Sequence, residues 1–303
     1  MSAERWVADG VSIMIPAYNE QEGVGPTIEA VRAALKTIDL PSEIIVVDDG
    51  STDETVARAS RYDGVRIVQH PENRGVGISR NTGIFAAQYQ AVGMIDADGT
   101  YPANSIPALV EGLADHHMTV GARVGRNVAR DWARLVPKWL ILKLACYISG
   151  QRIPDLNSGL RIFRRDSALR FFNILPKGHS WVSTITLAMM SNGMAVKFLP
   201  IDYYKRIGKS TFHPIRDTYN YIMVVVRTVM YFDPLKVFFP AGLILLAAGL
   251  AKLIFDLVKF NDIKESDVIL IVTSFLVLFQ GLLADLIVAR TKLLADKGGD
   301  RWR

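Results

Sequence analysis

Two apolar runs near the end of the chain, residues 237–258 and 268–289, restrict its architecture more than any other feature. Each is close to the roughly 20 residues that a helix needs to cross the hydrocarbon core of a bilayer. Only a short, slightly acidic connector, residues 259–267, lies between them, so they predict a two-helix transmembrane hairpin over residues 237–290. Lys252 and Asp256 stand four apart near the far end of the first run. On a helix they can pair with each other or reach toward the headgroups. Arg227 and Lys236 precede the hairpin, and Arg290, Lys292, Lys297, Arg301 and Arg303 follow it, most of them in a basic tail over residues 291–303. The positive-inside rule then puts both flanks and both termini in the cytoplasm and the connector outside. Residues 213–236 include a stretch of tyrosines, valines and one arginine, which suits an amphipathic helix at the interface. A second apolar stretch with interspersed lysines, residues 137–148, suits either such a helix or an ordinary packed one.

Half of the 303 residues are hydrophobic, and the excess gathers after about residue 220, which leaves residues 1–212 with the make-up of a water-soluble domain. Cys146 is the single cysteine, so no disulfide forms within the chain and a reducing compartment is expected. Residues 1–10 have no apolar segment of the signal-peptide kind, which also keeps this domain in the cytoplasm. The net charge of +5 suits anionic small molecules and membrane surfaces, and a nucleic-acid partner is not expected.

Within the first 120 residues, strand and helix signals alternate. Residues 11–15, 43–47, 65–69 and 91–95 read as strands, and 27–35 and 77–90 as helices; Ser51 and Glu54 have the spacing of a capping box opening another helix. Residues 159–163 and 195–201 read as strands returning to the same sheet. This order predicts an α/β fold: a doubly wound, mostly parallel sheet with helices on both faces.

Ligands of such sheets bind outside the carboxyl ends of the strands. Three polar turns fall there: Pro16-Ala17-Tyr18-Asn19-Glu20, Asp48-Asp49-Gly50-Ser51 and Asp96-Ala97-Asp98. Asp96 and Asp98 are two apart, and in an extended segment both would leave on one side. Two carboxylates so placed repel unless a cation lies between them. Hard divalent ions, Mg2+ or Mn2+, take a few carboxylates and complete their shell with substrate phosphates. Five histidines and one cysteine without zinc-like spacing make a soft metal a poor fit.

The strings IPAYNE, EIIVVDDGSTDET, NRGVGISRNTGI and MIDADGTYP, in this order, resemble family 2 glycosyltransferases of the GT-A, Rossmann-like fold over about residues 10–125. DLNSGLRIFRR and YYKRIGKS, followed by two apolar spans, resemble the dolichyl- or undecaprenyl-phosphate sugar synthases. The resemblance implies that Pro16, Tyr18, Glu20, Val47 and Asp49 hold the donor nucleoside. It implies that Asp96 and Asp98 carry the metal on the donor diphosphate, with Ala97 lending backbone. Arg123 and Arg134 match arginines that grip the acceptor phosphate. Arg206, Gly208 and Ser210 match a loop element over the donor, Arg206 acting on the leaving group and Ser210 near the acceptor phosphate. Asp98 and Arg206 are thus the expected catalytic pair. The chain departs from the family pattern at Thr100, where many relatives carry Gln, and at Pro137-Lys138, where they often carry Ser.

Transfer to a hydroxyl needs a general base. Between Asp166 and Asp202 there is no Asp or Glu, and Gly178–Thr184 (GHSWVST) stands where one would be expected; His179 is the alternative base. A phosphate monoester is already ionised near neutral pH and needs only cations to hold it. The expected activity is therefore inverting, metal-dependent transfer from a UDP- or GDP-linked sugar to a polyprenyl phosphate, in the cytoplasmic membrane. A membrane-anchored family 2 enzyme acting on a glycan or protein hydroxyl is the alternative. A nucleotidylyltransferase would need a G-x-G-T-R loop where Pro16-Ala17-Tyr18 stands, and a non-catalytic scaffold would not need three acidic turns. The sugar, the lipid length and any homo-oligomer are left open.

Overall fold

The computed structural model describes residues 6–123, 150–204 and 233–299, with residues 143, 146, 223 and 230 as single helical positions. These fall into two compact units, Met1–Val225 and Val226–Arg303.

The first unit is built on a seven-stranded sheet: β1 (Val11–Ala17), β2 (Ser42–Asp48), β3 (Val65–Gln69), β4 (Ala91–Met94), β5 (Met118–Arg123), β6 (Arg161–Arg164) and β7 (Val196–Ile201), in the order β3-β2-β1-β4-β6-β5-β7. All neighbours are parallel except β6, which runs antiparallel between β4 and β5. The doubly wound, mostly parallel sheet expected from the strand–helix alternation is therefore present. Every residue of β1 is buried, as a central strand covered on both faces requires. Ile13, Ile15, Val24, Ile28, Val31, Ile44, Val46 and Ile106 share one core between the sheet and the helices α1 (Val24–Leu35) and α4 (Ile106–Gly112). Each such side chain contributes roughly 1.5–3 kcal/mol by leaving water.

The other face carries α3 (Val76–Ala86) and α6 (Trp181–Ser191), which follow the short helices α2 (Thr55–Ala59) and α5 (Arg165–Leu169), respectively, in sequence. The last carbonyls of α3 are met by two arginines: Arg165 donates to Ile84 and Phe85, and Arg66 to Ala86. Cations at that end satisfy orphan acceptors and oppose the helix dipole.

Two local expectations fail. Ser51 and Glu54 form no capping box: α2 starts only at Thr55, whose N–H is taken by Asp53 at 2.9 Å. Ser51 is drawn instead to the loop after β1, where its hydroxyl accepts from Asn19 N–H at 2.9 Å. The third helix is also shorter than residues 77–90, ending at Ala86, because the chain turns extended at Ala87.

The second unit is a helical hairpin, α7 (Leu235–Phe260) and α8 (Glu265–Gly299). Its apolar windows, within Leu235–Phe260 and Glu265–Arg290, have mean hydropathies of 2.1 and 2.2 yet are only 11% and 17% buried. A helix of a soluble core would bury such a surface; here Ile244, Ile254, Phe275, Leu286 and Ile287 point outward, as side chains in lipid do. The chain is an integral membrane protein. The helices approach closely where glycines face bulk: Gly242 lies on Leu278, Gly249 on Ile271 and Gly281 on Phe238. At the connector, Lys252 pairs with Asp256 at 2.8 Å and with Asp267, and Lys264 pairs with Asp256 at 2.9 Å. Of the two possibilities for Lys252 and Asp256, mutual pairing is the one realised, and Asn261 in the left-handed conformation (φ 51°) ends α7 there.

Candidate active site

β1 pairs with β2 on one side and β4 on the other, so the connections from β1 and β4 leave in opposite directions and open a crevice at their carboxyl ends. The polar turns gather there, and they are each other's partners. Asn19 N–H donates to Ser51, Thr52 N–H to Asn19 Oδ1 at 2.9 Å, and Glu20 N–H to Thr55 Oγ1 at 2.9 Å. Gln21 N–H donates to Asp53 and Glu54 N–H to the Gln21 side chain. The loops after β1 and β2 are thus one hydrogen-bonded body. Pro16 and Val47 are buried register partners beneath it, while Tyr18, 44% exposed, stands out from it beside half-buried Glu20.

Asp49 has a different surrounding from the one its expected nucleoside contact suggests. It is 3% exposed; its Oδ1 is hydrogen-bonded to His70 Nδ1 at 2.7 Å, and its oxygens accept from Arg74 N–H at 3.1 Å and Gly75 N–H at 2.8 Å. His70 in turn bonds Thr82 of α3 at 2.9 Å. Asp49 therefore braces the loop after β3 against β2. Gly50, at φ 74°, makes the turn possible; a Cβ there would meet the Glu72 backbone at 2.7 Å.

Asp96 and Asp98 lie beyond β4, which ends at Met94, and Ala97-Asp98 form a turn closed by Gly99. Strand alternation therefore does not set their directions; specific partners do. Asp98, 7% exposed, accepts at Oδ1 from the Thr100 N–H (3.1 Å) and hydroxyl (2.6 Å). Thr100, a departure from the family pattern, thus orients this carboxylate. Asp96 keeps 31% of its side chain exposed and accepts at Oδ1 from Arg80 Nη2 at 3.2 Å. The turn is seated from below by α1: Thr27 donates to the Ala97 carbonyl at 3.2 Å, and a Cβ on Gly23 would lie 2.2 Å from that same oxygen. From the side, Asp96 packs close against the Gly159 backbone: a Cβ there would come within 2.2 Å of Oδ2. Two carboxylates on one turn, one of them partly in solvent, suit a divalent cation. Among the described residues no third His, Cys, Asp or Glu joins them, so substrate oxygens would complete the shell.

Aromatic contacts connect this turn to Arg123 at the end of β5. Tyr101 accepts from Gly159 N–H at 2.7 Å and meets Tyr203 edge-on at 5.4 Å; the Arg123 guanidinium lies 5.2 Å from the Tyr203 ring centroid. Burial pushes the Tyr101 hydroxyl far above its usual range, so it is a neutral hydrogen-bonding group. Arg123 forms a two-pronged pair with Asp155, at 2.7 Å from Nε and 2.9 Å from Nη2. Burial alone would raise the Asp155 carboxyl; the hydrogen bonds and charge of Arg123 outweigh it and hold the acid below its usual value. Arg134, Arg206 and Ser210 lie outside the described residues.

Sequence reasoning passed over Arg80, Tyr101, Asp155 and Gly159. Arg80 and Asp155 stand in strings that carried the resemblance, but neither has a spacing rule that announces its partner. Arg161, also passed over, is fully buried, with hydrogen bonds to Ser158 O, Val182 O and Thr186 Oγ1. Burial, and then the charge of Arg80, pushes its pKa down to about 9.

The comparisons agree with this geometry. The family model "Glycosyl transferase family 2" matches residues 12–172, and the model of the GtrB C-terminal hairpin matches residues 233–289. A dodecaprenyl-phosphate galacturonate synthase of Rhizobium johnstonii is 29% identical over 93% of this chain and 88% of its own. An undecaprenyl-phosphate 4-deoxy-4-formamido-L-arabinose transferase of Sodalis glossinidius is 35% identical, over 52% of this chain and 49% of its own. Glucosyl-3-phosphoglycerate synthase of Mycobacterium tuberculosis, solved with Mn2+, UDP and its glucosylated product, shares the fold at a TM-score of 0.57 and 20% identity, over 72% of this chain and 79% of its own. The chain is a glycosyltransferase, and it belongs to glycosyl transferase family 2.

Proposed function

We propose that this enzyme moves a sugar from a UDP- or GDP-linked donor to a polyprenyl phosphate, with inversion, at the cytoplasmic face of the membrane. The observation that carries the reading is the juxtaposition of the cation-ready turn Asp96-Ala97-Asp98 with the Tyr101–Tyr203–Arg123 path, in a chain that also holds a lipid-exposed hairpin. The long relative named as a dodecaprenyl-phosphate synthase supports the acceptor class. In this reading residues 1–212 are the catalytic domain, 213–236 lie at the interface, 237–290 anchor, and 291–303 form a cytoplasmic tail.

Tyr18 and Glu20 line the nucleoside, with Pro16, Val47 and Asp49 shaping the floor. Asp96 and Asp98 would hold Mg2+ or Mn2+, which would supply positive charge to the donor diphosphate. Arg123, joined by Arg134 and Ser210, holds the lipid phosphate, and Arg206 stabilises the departing nucleoside diphosphate. One phosphate oxygen attacks the anomeric carbon as the bond to the donor diphosphate breaks and its electron pair leaves with the nucleotide. The acceptor is already anionic, so no side chain has to remove a proton. Positioning and charge complementarity then account for the rate.

The test is transfer by the purified full chain from a panel of UDP- and GDP-sugars, with Mg2+ or Mn2+ against EDTA, to undecaprenyl phosphate and to hydroxyl glycans. Metal-dependent sugar release as a lipid phosphodiester is expected. Transfer to hydroxyl acceptors alone, or undiminished turnover in EDTA, refutes the reading.

A further inference from the structure

Arg80 of α3 is 4% exposed, and its Nε and Nη1 meet no acceptor; Nη2 donates to Asp96. Taking a guanidinium out of water is expensive unless its hydrogen bonds are made. Arg161 nearby shows what a purely structural buried arginine looks like here: its Nε, Nη1 and Nη2 all reach acceptors. Arg80 differs in having its ionic contact on the exposed rim of the candidate site and little else. Its plane is steadied by Trp181, whose ring centroid lies 5.9 Å away. Trp181 is itself fully buried and fixed, donating from Nε1 to Asn81 at 2.8 Å. Trp181 is the centre of GHSWVST, the segment found where a hydroxyl-transferring enzyme would be expected to carry its base.

We infer that Arg80 is a positioning residue: steadied by Trp181, it holds Asp96 by Oδ1 while Gly159 packs close against Oδ2, and together they fix the orientation in which this carboxylate is offered to a cation. The segment around Trp181 then serves the donor site by supporting Asp96, not by removing a proton. This rests on reading Asp96 as a cation ligand. Outer partners of metal-binding carboxylates typically matter by about 10–100-fold in metal affinity.

The test is Mn2+ affinity of the full chain, followed by electron paramagnetic resonance of free Mn2+, with UDP or GDP present. Arg80→Met is expected to weaken Mn2+ binding by about 10–100-fold, Arg80→Lys by less, and Trp181→Phe measurably. Combining Arg80→Met with Asp96→Asn should add nothing to Asp96→Asn alone, because the arginine acts through that carboxylate. Wild-type Mn2+ affinity in Arg80→Met, or additive losses in the double variant, overturns the inference. If Arg80→Met does not fold, Arg80→Lys and Trp181→Phe decide by the same readout: unchanged affinity in both overturns it. If Asp96→Asn itself binds Mn2+ like the wild type, the cation reading fails, and the role of Arg80 with it; a loss in Asp96→Asn without one in Arg80→Met sinks this inference alone.

Discussion

Gly159→Ala tests the close approach of Asp96 to the backbone. The position carries no left-handed φ, so alanine is allowed by the backbone and only the new methyl acts. That methyl would lie 2.2 Å from Asp96 Oδ2, 2.7 Å from Cγ and 3.0 Å from Tyr101 Cε2. Ordinary carbon contacts are about 3.5–4.0 Å, so something must move by more than 1 Å. Tyr101 is 7% exposed and held between Gly159 and Tyr203, whereas Asp96 is tied by one 3.2 Å contact and is partly in solvent. The aspartate yields. Overpacking against Tyr101 should cost about 1–3 kcal/mol of stability, while the displaced carboxylate loses its hold on transition-state charge. Removing one such preorganised contact costs roughly 2.7–4 kcal/mol, or about 10²–10³-fold in kcat. The assay pairs thermal unfolding of the detergent-solubilised protein with turnover and Mn2+ binding. A folded Gly159→Ala protein with near-wild-type turnover and Mn2+ affinity would refute the placement of a cation beside Asp96.

Three further changes probe the framework. Thr100→Val removes the 2.6 Å hydroxyl bond to Asp98 while keeping the shape; a stability loss of about 1 kcal/mol with weaker Mn2+ binding is expected from unfolding and binding curves. Asp155→Asn strands Arg123 and should destabilise the first unit at neutral pH by about 3–5 kcal/mol. Because the folded acid lies below its ordinary 3.8, its contribution is full above that value and fades as pH falls through the folded value. The gap between wild type and Asp155→Asn, measured by denaturant unfolding, should therefore close only below about pH 4. Arg161→Lys cannot reach Ser158, Val182 and Thr186 together and should cost about 2–4 kcal/mol, seen as a lower melting temperature.

The sheet was readable from sequence because its signals are local. Runs such as Glu43-Ile44-Ile45-Val46-Val47 are strands whatever surrounds them, and two apolar runs beside a short connector have few other uses. The turns were readable as a place but not as an arrangement. Ser51 and Glu54 have capping-box spacing, yet the competing donor, Asn19 N–H, is 32 positions away in sequence and wins the hydroxyl. Alternation placed Asp96 and Asp98 on one side, but strand geometry stops at Met94. Their orientation comes from Thr100, two residues on from Asp98, and from Arg80 on another element.

This division has a physical origin. A carboxylate at a strand end can be a ligand, a brace or a cap, and its own neighbours in sequence do not choose among these. The long-range donors do. Asp49, itself an expected nucleoside contact, draws three hydrogen bonds from beyond β3 and braces that loop. Asp155 draws Arg123 from 32 residues away and becomes the clamp of a cation. Asp96 draws one bond from a buried arginine and keeps solvent exposure. A carboxylate left under-committed and partly in solvent is the one most able to take a further cation. For that reason Asp96, more than the motif that contains it, is where we propose that the cation sits.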